Sequence, residues 1–147
     1  MNKDTTLEYI KGKWDDWYIP GLGDFVRVPN LTPMVDEDYL TNGLVEKCAK
    51  LVDDYIQKLD IKGLSSQTFK TADGLPLVVY IVEATEGVTQ NVMVYGHLDK
   101  QPYGTGWDED LSPTEPTIKN GRMYGRGASD DGYAPFSCML GVKAAQE

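Results

Sequence analysis

A single histidine, two cysteines and three phenylalanines stand among 147 residues. Cys48 and Cys138 lack Cys-x-x-Cys spacing and are too few for a disulfide framework, so each reads as a small buried or half-buried thiol, and metal binding through cysteine is not expected. Basic residues are scarce: 14 lysines and arginines face 23 aspartates and glutamates, for a formal net charge of -9. That balance repels phosphate backbones and anionic head groups, so neither nucleic acid nor a membrane surface is an expected partner. The acidic residues fall in short groups such as Asp15-Asp16, Asp36-Glu37-Asp38 and Asp108-Glu109-Asp110, as on a solvated surface. No apolar run approaches the ~18 residues of a membrane span, and Met1 to Thr5 lack a signal core, so a cytoplasmic location is the expectation. Internal repeats, low-complexity segments and an interdomain linker are missing too, as is the phosphate-cradling Gly-x-x-x-x-Gly-Lys-Ser/Thr loop.

What is present suits one globular domain, with 41% hydrophobic and 25% charged residues. Leu7, Ile10, Trp14 and Trp17 recur at helical spacing from Thr6, with Asp4 or Thr5 as N-cap and Pro20-Gly21 as the stop. Leu40, Leu44, Val45, Cys48, Leu51, Val52, Tyr55, Ile56 and Leu59 predict a second helix whose apolar stripe reads as core, with Gly63 beyond its end. Between the two, Pro29 to Pro33 is a turn-rich connection. The period then changes to two, so that Ser65 to Lys70 and Leu77 to Glu83 predict strands around an Ala72-Asp73-Gly74 turn. Asn91-Val92-Met93-Val94-Tyr95-Gly96 is nearly continuous in apolar residues, which predicts a strand buried on both faces of a sheet. Helix, helix, hairpin and buried strand make an α/β pattern.

From His97 to Pro116 turn formers dominate a connection of about twenty residues, a length that in compact domains is usually functional or disordered. Thr117 to Tyr124, centred on Asn120-Gly121, predicts a type I′ hairpin, and Ala134 to Glu147 a helix within which the chain stops.

Two segments carry groups with chemistry. His97 falls at the end of the apolar strand with Asp99 two residues on, and sites in open α/β sheets form beyond the carboxyl ends of strands. A neutral imidazole there can bind a metal through one nitrogen while the other donates to a carboxylate, but a histidine can equally just cap a strand. In Gly125-Arg126-Gly127-Ala128-Ser129-Asp130-Asp131-Gly132, Ser129 or Asp130 can cap the following helix. Alternatively one carboxylate faces a cation while its neighbour braces the turn.

Taken in order, the strand, His97-Leu98-Asp99-Lys100-Gln101-Pro102, Gly106-Trp107-Asp108, the Asn120-Gly121-Arg122-Met123-Tyr124 hairpin and Gly125-Arg126-Gly127-Ala128-Ser129-Asp130-Asp131 resemble the aminoacylase and carboxypeptidase-type zinc metallopeptidases. Within that family the sequence is most similar to the cytosolic non-specific, carnosine-type dipeptidases. The resemblance spans about Val92 to Gln146, and Phe25-Val26-Arg27-Val28-Pro29 agrees more loosely. It implies an α/β catalytic domain, a mixed sheet flanked by helices, with a lid or dimerisation domain that is absent here and a homodimer for the complete enzyme. By the same resemblance, His97 is a terminal ligand of one zinc, Asp130 the carboxylate bridging two zinc ions, Asp99 the catalytic-site carboxylate orienting the imidazole, and Asp131 structural. Manganese or cobalt would suit the same donors. The implied reaction is hydrolysis of a dipeptide or small peptide beside its free carboxylate, by water held between the metals and deprotonated by a glutamate.

The sequence departs from the family in two ways. Gly132-Tyr133-Ala134-Pro135 replaces a frequent Lys-Gly-Pro, and no Glu-Glu pair supplies the general base and adjacent ligand. The expectation is therefore that residues 1–147 are the N-terminal portion of a catalytic domain, inactive alone. The competing expectation is a natural short paralogue acting as a binding or regulatory module.

Overall fold

Asn2 opens the first helix, α1 (Lys3–Lys13), its Oδ1 accepting from the amide of Asp4, so the cap lies slightly upstream of where the sequence suggests it. The computed structural model describes residues 2–147. No residue of α1 is buried. A π-helical turn over Trp14–Tyr18 then shifts the helical register, so that Trp17 and Tyr18 face inward, and the chain continues as α2 (Ile19–Arg27). Pro20 and Gly21 thus do not stop a helix as expected. The π-helical turn puts Pro20 in the first turn of α2, and the helix runs on through it. Helix α3 (Leu44–Gln57) begins after Gly43 and is shorter than its apolar pattern suggests, because residues 38–41 form turns that leave Leu40 outside the helix and exposed.

The core lies where α2, α3 and α4 (Tyr133–Gln146) meet. Phe25, Cys48, Ile56 and Phe136 are completely buried there. Phe136 presents its ring edge-on to Trp17 at 5.7 Å, Tyr55 at 6.0 Å and Tyr18 at 6.4 Å between centroids, the arrangement that aromatic quadrupoles favour.

Strands β1 (Leu64–Lys70) and β2 (Pro76–Val82) form the first hairpin, in a register running from Leu64 opposite Val82 to Lys70 opposite Pro76. The second pairs β3 (Thr117–Lys119) with β4 (Arg122–Tyr124) through Asn120 and Gly121, both at positive φ as a type I′ turn requires. The α/β class holds. Its sheet component, however, consists of two separate antiparallel hairpins, not one mixed sheet.

The strand expected at Asn91 to Gly96 is not formed. Val92 and Met93 are 91% and 93% exposed, and among the described residues no strand pairs with this segment. An apolar run becomes a buried strand only when neighbours cover it, and among the described residues none lies against Val92 and Met93 closely enough to do so. The nearest ladder contact comes just after it, an isolated parallel bridge between Leu31 and Lys100.

Candidate metal centre

His97 is therefore not presented by a sheet edge, and a different set of contacts fixes it. From His97 to Lys100 the chain alternates, His97 and Asp99 facing outward while Leu98 packs against the core and Lys100 is buried. The segment 30–32 grips this stretch. Asn30 Nδ2 donates to the Leu98 carbonyl at 2.6 Å, the Lys100 amide donates to the Asn30 carbonyl at 3.0 Å, and the Thr32 amide donates to the Lys100 carbonyl at 2.8 Å.

The second loop runs from Gly125 to Gly132 and closes on itself, the Gly132 amide donating to the Gly127 carbonyl at 2.8 Å. Neither Ser129 nor Asp130 caps α4: Gly132 is its N-cap and no side chain serves the role. Asp130 is instead turned toward His97, and the peptide joining Asp130 to Asp131 is cis. Asp131 Oδ2 accepts from the His97 main-chain amide at 3.2 Å, tying the two loops together.

All three residues singled out from the sequence thus meet. His97 Nδ1 lies 3.0 Å from Asp99 Oδ1 and 3.1 Å from the Asp99 carbonyl, while Nε2 lies 3.1 Å from Asp130 Oδ1. Burial disfavours a charged imidazole here, but the carboxylates of Asp99, Asp130 and Asp131 together lift the His97 pKa above its ordinary value. The His97 side chain is 32% exposed and that of Asp130 58%, so both donor atoms are within reach of solvent.

These residues fit a divalent cation by chemistry and spacing. Two N or O donors at about 2.0–2.1 Å from a tetrahedral cation stand roughly 3.3 Å apart, close to the separation between Nε2 and Oδ1. An imidazole backed by a carboxylate at its other nitrogen is the usual outer support of a metal-bound histidine. Among the described residues, no group of three or more His, Cys, Asp or Glu side chains is gathered for a metal.

Sequence reasoning missed Asn30 and Lys100. The signal for Lys100 was the period of two that starts at His97, which puts Lys100 on the inward side with Leu98, but a charged side chain reads as solvated. Beside the two loops, Tyr103, Trp107, Tyr124 and Arg126 line a shallow depression of about 390 Å³. Arg126 Nη2 donates to the Tyr103 carbonyl there at 3.3 Å, and its buried Nε has no partner among the described residues.

Residues 93–147 match the model of peptidase family M20/M25/M40. The chain is 32% identical to a succinyl-diaminopimelate desuccinylase of Pelagibacter ubique, over 81% of this chain and 28% of that protein. It is 29% identical to a Cys-Gly metallodipeptidase of Schizosaccharomyces pombe, over 100% of this chain and 31% of that one. With an uncharacterized metallohydrolase of Methanocaldococcus jannaschii the identity is 25%, over 82% of this chain and 30% of the other. The chain spans less than a third of the length of these relatives.

Proposed function

We propose that this chain, whose residues 93–147 match the model of peptidase family M20/M25/M40, supplies the first half of a two-metal centre that hydrolyses a peptide bond beside a free carboxylate. One observation carries the reading: the outward-facing donors His97 Nε2 and Asp130 Oδ1 lie 3.1 Å apart, with Asp99 behind the imidazole. Zinc is the proposed metal, and manganese and cobalt would accept the same imidazole and carboxylate donors. Bound there, the metal supplies an activated water and a Lewis acid for the scissile carbonyl.

The chain's own residues prepare that chemistry. In the Nδ1–H tautomer Asp99 accepts the proton of neutral His97, which leaves the Nε2 lone pair on the side of Asp130 for a metal. Asp131 holds the His97 main chain against the loop that carries Asp130, and Asp130 has two oxygens with which to face two cations.

A catalytic zinc takes about three protein ligands, and a bridged pair about five residues in total. His97 and Asp130 account for two. We place the remaining ligands and the general-base glutamate outside residues 1–147, and the 147-residue polypeptide alone is then without peptidase activity. The proposed substrate is a dipeptide, since the Schizosaccharomyces pombe relative is named for Cys-Gly.

The test is amine release from Cys-Gly and from succinyl-diaminopimelate, with zinc present. It compares the 147-residue polypeptide with one extended to the length of the relatives. Activity is expected only in the extended form and should vanish in His97→Ala. Hydrolysis by the 147-residue form that His97→Ala abolishes would overturn the inactivity, and an extended enzyme indifferent to His97→Ala would overturn the site. The alternative proposal is a natural short paralogue, a non-catalytic binding or regulatory module. An in-frame stop after the Glu147 codon, with no Glu-Glu pair encoded beyond it, would decide for the module.

A further inference from the structure

Lys100 is 1% exposed and among the largest fully buried side chains. Among the described residues no carboxylate pairs with it. Its ammonium donates to the carbonyls of Phe25, of Val26 at 3.2 Å and of Val28, and lies 4.3 Å from the centre of the Phe25 ring. Those carbonyls end α2, where the helix dipole leaves partial negative charge. The aliphatic stem runs beneath Gly127, where a Cβ would stand 2.7 Å from Lys100 Cε and φ is already +90°. Burial pushes the Lys100 pKa down to about 8, as befits a cation held by dipoles without a counter-ion.

This single residue therefore touches three pieces of chain: the end of α2, the segment 30–32 through its main chain, and the glycine turn that leads to Asp130. His97 and Asp99 are the outward residues that alternate with it. A methionine of similar length would fill the same space, but it would take the ammonium from the Val26 and Val28 carbonyls and leave the Phe25 carbonyl only the Val28 amide at 3.1 Å. The feature that sets lysine apart is a charged, hydrogen-bonded anchor between the two loops of the half-site.

We infer that Lys100 is a positioning residue of this centre: its buried ammonium locks the His97–Lys100 segment to the end of α2 and so sets His97 against Asp99 and Asp130. The inference rests on the half-site reading above for its functional meaning, and the experiment separates the two. The chain contains one histidine, so the imidazole nitrogen NMR spectrum of the 147-residue protein reports His97 alone. In the metal-free wild type, at a pH where the ring is neutral, the Nδ1–H tautomer should dominate because two acceptors, Asp99 Oδ1 and the Asp99 carbonyl, face Nδ1 while Asp130 Oδ1 alone faces Nε2.

In Lys100→Met that preference should be lost and the ring should move toward the tautomer mixture of a free imidazole. Lys100→Gln, a shorter neutral donor, should retain part of it. An unchanged His97 tautomer in Lys100→Met, with faster amide exchange confined to the last turn of α2, would make Lys100 only a helix cap and overturn the inference. Loss of folding in both variants would assign Lys100 to global stability and overturn it too. Zinc added to the polypeptide extended to the length of the relatives tests the half-site separately: if His97→Ala leaves its zinc affinity unchanged, the metal reading falls and the tautomer comparison still decides the role of Lys100.

Discussion

Replacing Asp99 by asparagine removes the charge behind His97 while keeping the shape of the side chain. Removing an outer-shell partner of a metal-bound histidine typically costs about 10–100-fold in metal affinity. The structure places this case at the lower end, because the Asp99 main-chain carbonyl also lies within 3.1 Å of Nδ1 and survives the substitution. What is lost is the charge assistance from Oδ1 at 3.0 Å. The expected effect is a roughly tenfold weaker zinc affinity, or about 1.4 kcal/mol. Competition against a chromophoric chelator, using the polypeptide extended to the length of the relatives, measures it directly. Asp99→Ala should cost no more than a few-fold beyond Asp99→Asn, since the carbonyl remains in both. If Asp99→Asn binds zinc as tightly as the wild type, Asp99 does not orient a ligand. A loss of several thousandfold would mean that Asp99 is itself a ligand.

Three further outcomes follow from the same contacts. The His97 pKa is raised in the folded protein, so in the metal-free chain protonated His97 contributes stability that is fully present below the unfolded value of about 6.5 and is lost as pH rises through the folded value. Urea unfolding across that window should show wild-type stability falling relative to His97→Gln as pH rises, and parallel pH profiles would refute the coupling to Asp99 and Asp130. Zinc affinity should rise over the same window, because metal and proton compete for Nε2. Phe136→Ala removes a ring that is completely buried against Trp17, Tyr18 and Tyr55, at an expected cost of about 3–5 kcal/mol. For a domain of this size that is a Tm lower by roughly 10 °C in a thermal melt, and a loss under about 1.5 kcal/mol would mean that the three-helix junction is not the core.

Local signals were legible wherever a feature depends on residues close in sequence. The hairpin at Thr117 to Tyr124 could be read because Asn120-Gly121 specifies the turn by itself, and α3 because its stripe repeats over several turns. The π-helical turn at Trp14–Tyr18 could not, since nothing local distinguishes it from ordinary helix until Trp17 and Tyr18 have to face Phe136. The candidate centre shows the same division. His97, Asp99 and Asp130 could be picked out by residue type and order. Their approach within about 3 Å depends on Asp131, which the family resemblance implied to be structural, and on Asn30 and Lys100, which act on main-chain groups and give no compositional sign.

The segment from Asn91 to Gly96 is where composition and structure part, and the reason bears on the centre. Apolar content states what a segment is suited to contact, whereas burial states what is there to contact it. In this chain β2 also leaves Leu77 and Ile81 about half exposed, so two neighbouring stretches of sequence share unpartnered apolar surface. His97 follows directly on the second of them. Its main-chain amide is held by Asp131, and the residues after it are held by Asn30, Thr32 and the end of α2, so these hydrogen bonds lie at the histidine or on its C-terminal side. That explains how the half-site geometry stands without a strand beneath it. It also makes Lys100 and Asn30, rather than the apolar run, the residues on which the placement of the imidazole depends.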